Sequence, residues 1–182
     1  MRSRRNGLTL LELLVVVAIL AIVTTVGLPA FGDVLQRTRA QTAMHQLTAS
    51  IASARLAAIQ HRRPLALCPA DAAGACVDEP DWSAGWLVFV DADGNDRPDT
   101  DADLVRHVQT SGRIAIRSSA GRTRIRVQRD GRSGGSNLSL SLCSEDAEPR
   151  LLGRVILNIS GRTRSERPTA PTPCPFAPGG AG

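Results

Sequence analysis

The stretch LTLLELLVVVAILAIVTTVGL, residues 8–28, decides the fold, because it is an apolar run in which Glu12 is the only charged residue. About 20 apolar residues in a helix cross the roughly 30 Å hydrocarbon core of a bilayer. The basic segment MRSRRNG, residues 1–7, precedes the run and is expected to stay in the cytoplasm by the positive-inside rule. The run therefore predicts a single membrane helix with the remaining chain on the far side of the membrane.

A cleaved signal peptide is the main alternative interpretation of this run. The apolar core of a signal peptide is shorter and ends at a small-x-small cleavage site, whereas this run continues to Pro29. Glu12 needs its own explanation, because a carboxylate deep in hydrocarbon is costly and usually has a partner. The residues alone allow a tolerated charge near the membrane surface.

The sequence RNG followed by LTLLE, residues 5–12, resembles the leader of type IV pilins and pseudopilins. In that family a prepilin peptidase cuts after the glycine and methylates the new amino terminus. The resemblance implies cleavage between Gly7 and Leu8, N-methylation of Leu8, and pairing of Glu12 with the terminal amine of a neighbouring subunit. Leu8 differs from the phenylalanine that is usual at this position. The resemblance further implies an inner-membrane protein with a periplasmic head, which joins other major and minor pilins in an extracellular pilus.

After Pro29 the pattern is typical of an amphipathic helix that ends before Pro64. Apolar residues recur there at intervals of three and four, namely Met44, Leu47, Ile51, Ala54 and Ala58. Seven short apolar segments follow, separated by Gly, Asp, Ser or Pro, and Leu138, Leu140 and Leu142 alternate with serines as in a half-buried strand. We therefore expect an α+β protein, in which a long N-terminal helix, transmembrane in its first half, packs on a mostly antiparallel β-sheet.

The segment Leu67–Arg106 contains a cysteine pair, a Trp-x-x-Gly-Trp sequence at residues 82–86 and an acidic loop. In this it resembles the GspH/FimT branch of pilin-like proteins, so that with the leader the resemblance covers nearly the whole chain. Five segments are predicted: a cleaved leader (residues 1–7), the transmembrane and assembly half of the helix (8–28), its amphipathic half (29–63), a β-rich head (64–167) and a Pro/Gly-rich tail (168–182).

Four cysteines in an exported domain favour disulfides, and four cysteines allow three pairings. Proximity along the chain favours Cys68 with Cys76, which leaves Cys143 for Cys174. A metal site is the alternative, but the spacings lack the paired C-x-x-C pattern of zinc sites. No metal and no cofactor are therefore predicted.

The acidic segment DADGNDRPDTDAD, residues 91–103, has oxygen ligands at intervals that suit calcium. It has Asp96 and Ala102 at the loop positions where an EF-hand requires glycine and glutamate. A solvated Asp/Gly turn is the preferred interpretation. No nucleophile with an adjacent base, phosphate-binding glycine loop or HExxH helix is present, so we predict no enzyme activity.

Charge is distributed unevenly along the chain. Residues 71–103 contain ten acidic residues and one arginine, whereas residues 104–182 contain thirteen arginines and five acidic residues. Such an asymmetry fits internal docking, docking between subunits or a surface for a polyanion. In the first Gly-Arg-Thr-Arg sequence, Arg122, Arg124 and Arg126 alternate with Thr123, Ile125 and Val127, which predicts a strand with one solvent-facing side.

The second Gly-Arg-Thr-Arg sequence, Gly161 to Arg164, follows the last apolar segment and precedes the proline-rich tail, so we expect its arginines on a turn that leaves the sheet. It is similar to the Gly-Arg-x-Arg motif of FimT-type minor pilins, which are associated with DNA uptake. The resemblance implies weak, non-specific binding of double-stranded DNA through Gly161, Arg162 and Arg164. Proximity adds Arg167 to this set, and further contacts are expected from Arg154 and from the strand with Arg122, Arg124 and Arg126.

Two function classes thus follow from the sequence. The first is a FimT-type minor pilin that takes part in pilus assembly and binds DNA during natural transformation. The second is a purely structural or priming minor pilin for pilus biogenesis and twitching motility, or a GspH-like pseudopilin of a type II secretion system. In the second class the basic turn pairs with the acidic loop of a neighbouring subunit. A membrane-anchored periplasmic enzyme is a distant third, since no catalytic constellation supports it.

Overall fold

The computed structural model describes residues 9–110, 113–135 and 137–176. The predicted cleavage and methylation sites, Gly7 and Leu8, lie outside these residues. The chain divides into two compact units, Met1–Arg37 and Thr38–Gly182. Each unit is therefore described by itself.

The first unit is helical. Helix α1, Leu10–Ile22, begins after Thr9, whose hydroxyl accepts a hydrogen bond from the Glu12 N–H at 3.2 Å. A π-helical segment, Val23–Gly27, follows it and leads into helix α2, Leu28–His61. The predicted long helix is thus interrupted, because a π-helical turn precedes Pro29. Proline has no N–H to donate within the preceding turn, which accounts for the break in the regular hydrogen bonding.

Within residues 9–110, 113–135 and 137–176, no helix is both long enough and apolar enough to traverse a bilayer. The span predicted over residues 8–28 stays a prediction.

In the second unit, α2 presents its apolar stripe to the interior. The stripe predicted from the spacing is confirmed, since all five of its residues are buried, namely Met44, Leu47, Ile51, Ala54 and Ala58. The helix ends at His61, before Pro64, as predicted. The next residue, Arg62, adopts a positive φ of 52°.

In the part of the chain that the structure describes, eight short strands follow the helix. They are β1 Leu65–Pro69, β2 Gly85–Val90, β3 Leu104–Gln109, β4 Ile114–Ser118, β5 Ile125–Val127, β6 Leu138–Ser144, β7 Leu151–Leu157 and β8 Thr163–Glu166. They form two four-stranded sheets, the first in the order β3-β2-β1-β5 and the second in the order β4-β6-β7-β8. Every pairing is antiparallel, which confirms the predicted class, but the strands form two sheets where the sequence predicts one.

The core lies between α2 and the inner faces of both sheets. Trp86 is fully buried in this core and donates its indole N–H to the Ser50 hydroxyl at 3.0 Å. Gly153 on β7 lets the helix approach closely, because a Cβ at this position would lie 2.5 Å from the Met44 sulfur. The helix and the two sheets therefore share one continuous apolar interior.

Two disulfides, Cys68–Cys76 and Cys143–Cys174, fasten loops to the sheets, with Cα separations of 5.6 Å and 5.8 Å. These are the pairings that the sequence predicts. The second disulfide holds the tail, whose backbone also pairs with the start of β7 through the Leu151 N–H and the Thr172 carbonyl at 2.8 Å. The proline-rich segment is therefore attached to the second sheet as far as Phe176, where the described residues end.

Candidate nucleic-acid interface

The turn between β7 and β8 is closed by hydrogen bonds of its own. The Asn158 N–H donates to the Arg162 carbonyl at 3.0 Å, and the Gly161 N–H donates to the Asn158 carbonyl at 2.9 Å. The Asn158 side chain adds a third bond, since its Oδ1 accepts from the Arg162 N–H at 2.9 Å. The backbone that carries Arg162 is thus fixed from within.

Gly161 is required in this turn for steric reasons. Its φ is +77°, a conformation that residues with a side chain rarely adopt. A Cβ at this position would lie 2.4 Å from the Gly131 carbonyl oxygen, which also accepts a hydrogen bond from the Arg55 Nε at 2.7 Å. The glycine of the motif therefore lets the turn pack on its neighbours.

The residues after the turn form a strand, which corrects the prediction that the arginines sit on a turn leaving the sheet. Strand β8, Thr163–Glu166, pairs antiparallel with β7 and forms one edge of the second sheet. None of its four residues is apolar, so it lacks the alternation by which strands are recognised. Arg164 thus lies on an edge strand and Arg162 on the turn before it.

Arg154 and Arg164 lie on the outer face of the second sheet, which is the face directed away from α2. The register pairs Arg154 of β7 with Glu166 of β8, and Ile156 of β7 with Arg164. Their neighbours Val155 and Leu157 are buried on the inner face. Arg154 and Arg164 are diagonal neighbours in this register, and such neighbours on antiparallel strands are about 7–8 Å apart. The register therefore places arginines from two segments of the chain on the same part of this face.

These arginines are accessible to solvent to different degrees. The Arg164 side chain is 71% exposed and forms an ion pair with Glu166 at 3.0 Å. Arg162 and Arg167 are exposed, and neither has an ion pair within the described residues. Arg154 is half-buried, and its Nε has no hydrogen-bond partner in that same part of the chain. We call Arg154, Arg162, Arg164 and Arg167 together the arginine surface.

The sequence analysis missed Arg117, which lies on the same outer face. The register pairs Arg117 of β4 with Ser141 of β6, and Ser141 with Arg154, so that one row crosses the sheet. The Arg117 guanidinium lies 5.4 Å from the centre of the Phe176 ring. Its alternation with Ile114 and Ile116, both buried, is the signal that could have identified it.

The first Gly-Arg-Thr-Arg sequence does not form the predicted strand with three solvent-facing arginines. Strand β5 contains only Arg126 of the three, and the Arg124 side chain is 8% exposed. The prediction that Arg124 faces solvent is wrong, because its guanidinium donates hydrogen bonds to Asp78 and to the carbonyls of Val77 and Asp96. Arg122, just before them, is half-buried.

Arg126 pairs with Asp96 of the acidic loop on the first sheet. The hydrogen bond from its guanidinium to the Asp96 carboxylate raises the pKa of Arg126. Arg126 is thus engaged by an internal carboxylate, although its side chain is still 54% exposed.

The acidic loop, residues 91–103, is organised by its own hydrogen bonds. The Asn95 amide donates to Asp93 at 2.9 Å and to Asp99 at 2.8 Å. Asp91 is buried, and this burial raises the pKa of its carboxyl group. Among the described residues no three His, Cys, Asp or Glu side chains are grouped so that they could hold a metal ion.

Comparisons with known proteins agree with this arrangement. The family model described as Type II transport protein GspH matches residues 43–161, which is more than half of the chain. The chain belongs to the GspH family. In this GspH-family protein, residues 2–28 also match the prokaryotic N-terminal methylation motif. The resemblance seen at the leader and at residues 67–106 is thereby confirmed.

The fold of the GspH-family protein is that of a pilin. Two crystal structures of the type IV minor pilin FimU from Pseudomonas aeruginosa match it over 72% of its length, with TM-scores of 0.55 and 0.54. Their sequences are 15% and 16% identical to it, and the matches cover 90% and 95% of those chains. A comparison with curated protein sequences gives no match.

Family and fold together define the class of the molecule. The GspH-family protein is a subunit of the minor pilin or GspH-like pseudopilin kind, which is a non-enzymatic structural class. The methylation motif implies a membrane-anchored component that is processed by a prepilin peptidase and associates with other pilins.

Proposed function

We propose that the protein is a minor type IV pilin of the FimT kind that takes part in pilus assembly and binds DNA through its arginine surface during natural transformation. The observation that carries this proposal is the exposure of Arg162 on a fixed turn, Arg164 on the edge strand and Arg167 just after that strand, with Arg154 on the adjacent strand. Guanidinium groups form bidentate contacts with phosphate. Contacts of this kind position DNA without reading its sequence.

The number of arginines limits the strength of this binding. Four phosphate contacts on duplex DNA give a slope of log K against log salt of about −3.6. One subunit should therefore bind weakly at physiological salt, and useful retention requires several subunits on one fibre. Gly161 supports the site indirectly, because it shapes the turn that carries Arg162.

The same proposal assigns roles to the amino terminus. Cleavage after Gly7 exposes Leu8 for N-methylation, residues 8–28 anchor the subunit in the inner membrane before assembly, and Glu12 pairs with the terminal amine of a neighbouring subunit. The match of residues 2–28 to the methylation motif supports these assignments. The head is then periplasmic, which is a compartment where two disulfides are stable.

The binding test uses the full chain purified in a non-ionic detergent. We expect the double variant Arg162→Gln/Arg164→Gln to bind duplex DNA at least tenfold more weakly than the wild type at about 50 mM salt, with a salt slope smaller by about two. The matched control, Arg106→Gln/Arg113→Gln, removes the same charge from two exposed residues. Arg106 lies in β3, and Arg113 lies just before β4. Equal losses of affinity in the two variants, or undiminished binding by the first, would show that Arg162 and Arg164 do not form a specific DNA contact.

The cellular test separates DNA contact from assembly. Cells that carry Arg162→Gln/Arg164→Gln should lose transformation and keep twitching motility. Loss of both activities together would instead indicate a defect in assembly.

A second candidate function is structural, and the match to the type II transport protein GspH favours it. In this case the subunit belongs to a pilus without DNA contact or to a secretion pseudopilus. The arginine surface would then contact acidic residues of a neighbouring subunit. Complementation distinguishes the two, because a pseudopilin restores protein secretion in a strain that lacks its GspH, whereas a minor pilin of the uptake machinery restores transformation.

A further inference from the structure

Glu166 is an acidic residue that lies beside the arginine surface. It lies directly opposite Arg154 in the antiparallel register, and its carboxylate forms an ion pair with Arg164 at 3.0 Å. Arg164 and Glu166 are two residues apart on β8, so their side chains extend from the same face of the strand. Glu166 thus lies on the same face as both arginines, opposite Arg154 in the register and paired with Arg164.

The ion pair is accessible to competing anions. The side chains of Arg164 and Glu166 are 71% and 47% exposed, so water and salt screen their attraction. Arg154 forms no ion pair with Glu166, and its Nε lacks a hydrogen-bond partner within the described residues. The unpaired Arg154 Nε is itself buried, so any contact of Arg154 with a second anion is made by its terminal nitrogens. Glu166 therefore neutralises Arg164 incompletely, and Arg164 is the arginine for which a second anion competes with it.

A carboxylate and a phosphate bind arginine in the same way, through two parallel N–H···O contacts. A phosphate that contacts Arg154 and Arg164 together would compete with the Glu166 carboxylate for Arg164. The phosphate and the Glu166 carboxylate repel each other, so the presence of one weakens the binding of the other to these arginines.

We propose that Glu166 is an internal competitor of the nucleic-acid phosphate, and that it weakens DNA binding at the arginine surface by pairing with Arg164. This inference rests on the proposed function. Competition from Glu166 keeps the affinity of each subunit for DNA low. A single subunit therefore releases DNA readily, and retention depends on contacts from several subunits. Arg164 becomes the contact that Glu166 controls, because its exposed guanidinium is the one that Glu166 pairs with.

The test compares two variants that make the same chemical change. Glu166→Gln removes the competing charge and keeps a side chain that can still hydrogen bond to Arg164. Glu79→Gln is the matched control, because Glu79 is an exposed residue in the loop between β1 and β2 and its substitution changes the net charge equally. Both are prepared as full chains in non-ionic detergent, and their binding to a duplex oligonucleotide is measured from about 50 to 200 mM salt.

We expect Glu166→Gln to bind about two- to fivefold more tightly at low salt, the range that the strength of an exposed ion pair permits. The salt slope should become steeper by about one, because one more phosphate is effectively neutralised. The control should change affinity less than twofold. Adding Arg164→Gln to Glu166→Gln should cancel the gain, because Arg164 is the contact that the first substitution makes available.

Each remaining outcome has a defined meaning. If Glu166→Gln and Glu79→Gln tighten binding equally, net charge explains the effect and the competitor role is wrong. If the wild type binds through Arg162 and Arg164 but Glu166→Gln changes nothing, this inference fails and the proposed function stands. If the wild type and Glu166→Gln both fail to bind DNA at low salt, both proposals fail.

Discussion

The guanidinium of Arg124 lies 2.7 Å from the carboxylate of Asp78, and its remaining donors bond to the carbonyls of Val77 and Asp96 at 2.8 Å and 2.9 Å. These contacts join the residue just before β5 to the loop between β1 and β2 and to the acidic loop between β2 and β3. An arginine from the basic part of the sequence thus stabilises the acidic part. The charge asymmetry of the chain is therefore in part internal docking.

Replacing Arg124 should destabilise the head. Arg124→Gln leaves two partly buried carbonyls without donors and separates Asp78 from its partner, which we expect to lower the free energy of unfolding by about 2–3 kcal/mol. The two tryptophans, Trp82 and Trp86, are both buried in the head and report its unfolding in urea by fluorescence. Arg164→Gln is the control, because its exposed ion pair should change stability by less than about 1 kcal/mol. Equal stability of the two variants would contradict the structural role of Arg124.

Gly161→Ala should destabilise the protein more than Gly121→Ala does. Both glycines have a positive φ, at +77° and +63°, so both substitutions introduce backbone strain of about 1 kcal/mol. Only at Gly161 would the new methyl group also collide with a backbone atom, the Gly131 carbonyl, whereas at Gly121 the space is open. We expect a total cost of about 2–4 kcal/mol at Gly161, measured by urea denaturation. A smaller cost there than at Gly121 would show that the turn does not pack as described.

Removing the disulfide of the tail should cost more than removing the one next to β1. The Cys143–Cys174 disulfide closes a separation of 31 residues and Cys68–Cys76 one of 8. Loop-closure entropy gives about 3.7 and about 2.5 kcal/mol for the two. Paired cysteine-to-serine variants, compared by urea denaturation, should therefore differ by about 1 kcal/mol. The opposite order would mean that native contacts of the loops outweigh the entropy of the unfolded chain.

Asp91→Asn should stabilise the head at neutral pH and have little effect near pH 3. Burial raises the pKa of the Asp91 carboxyl above its ordinary value of 3.8, so the folded state binds this proton more tightly than the unfolded chain does. The stability of the wild type therefore falls as pH rises from 3.8 through the raised pKa of Asp91. Asparagine carries no such proton, and its Oδ1 can still accept the hydrogen bond from the Asp96 N–H. Thermal denaturation from pH 3 to 7 should show a growing advantage of the variant over this window, and an advantage already complete at pH 3 would contradict this origin.

Much of the fold could be predicted from spacing alone. The stripe from Met44 to Ala58 and the alternating leucines of β6 follow periods that only one geometry satisfies. Strand β8 escaped prediction because an edge strand with both faces polar leaves no hydrophobic pattern. The separation into two sheets also left no local signal, since strand partners are chosen by packing of segments that are distant along the chain.

The candidate site was predicted in part. Arg162 and Arg164 were identified through the resemblance, but the contribution of Arg154 depends on register, which the sequence did not determine. Arg124 was misplaced, because alternation with Thr123 and Ile125 predicts an exposed side chain and cannot reveal acceptors in loops 28 and 47 residues away. Charge patterns give the number of cations, while tertiary contacts decide which of them remain accessible.

The closed turn between β7 and β8 has a consequence for how this surface can change. Its backbone is held by Asn158 and by the fit of Gly161 against Gly131, and no side chain of Arg162 or Arg164 takes part in that closure. The backbone that carries the arginines is therefore already fixed, and a bound ligand would restrict only their side chains. Substitutions at these two positions can alter the ligand preference of the subunit without altering its fold, so that binding and assembly can evolve separately.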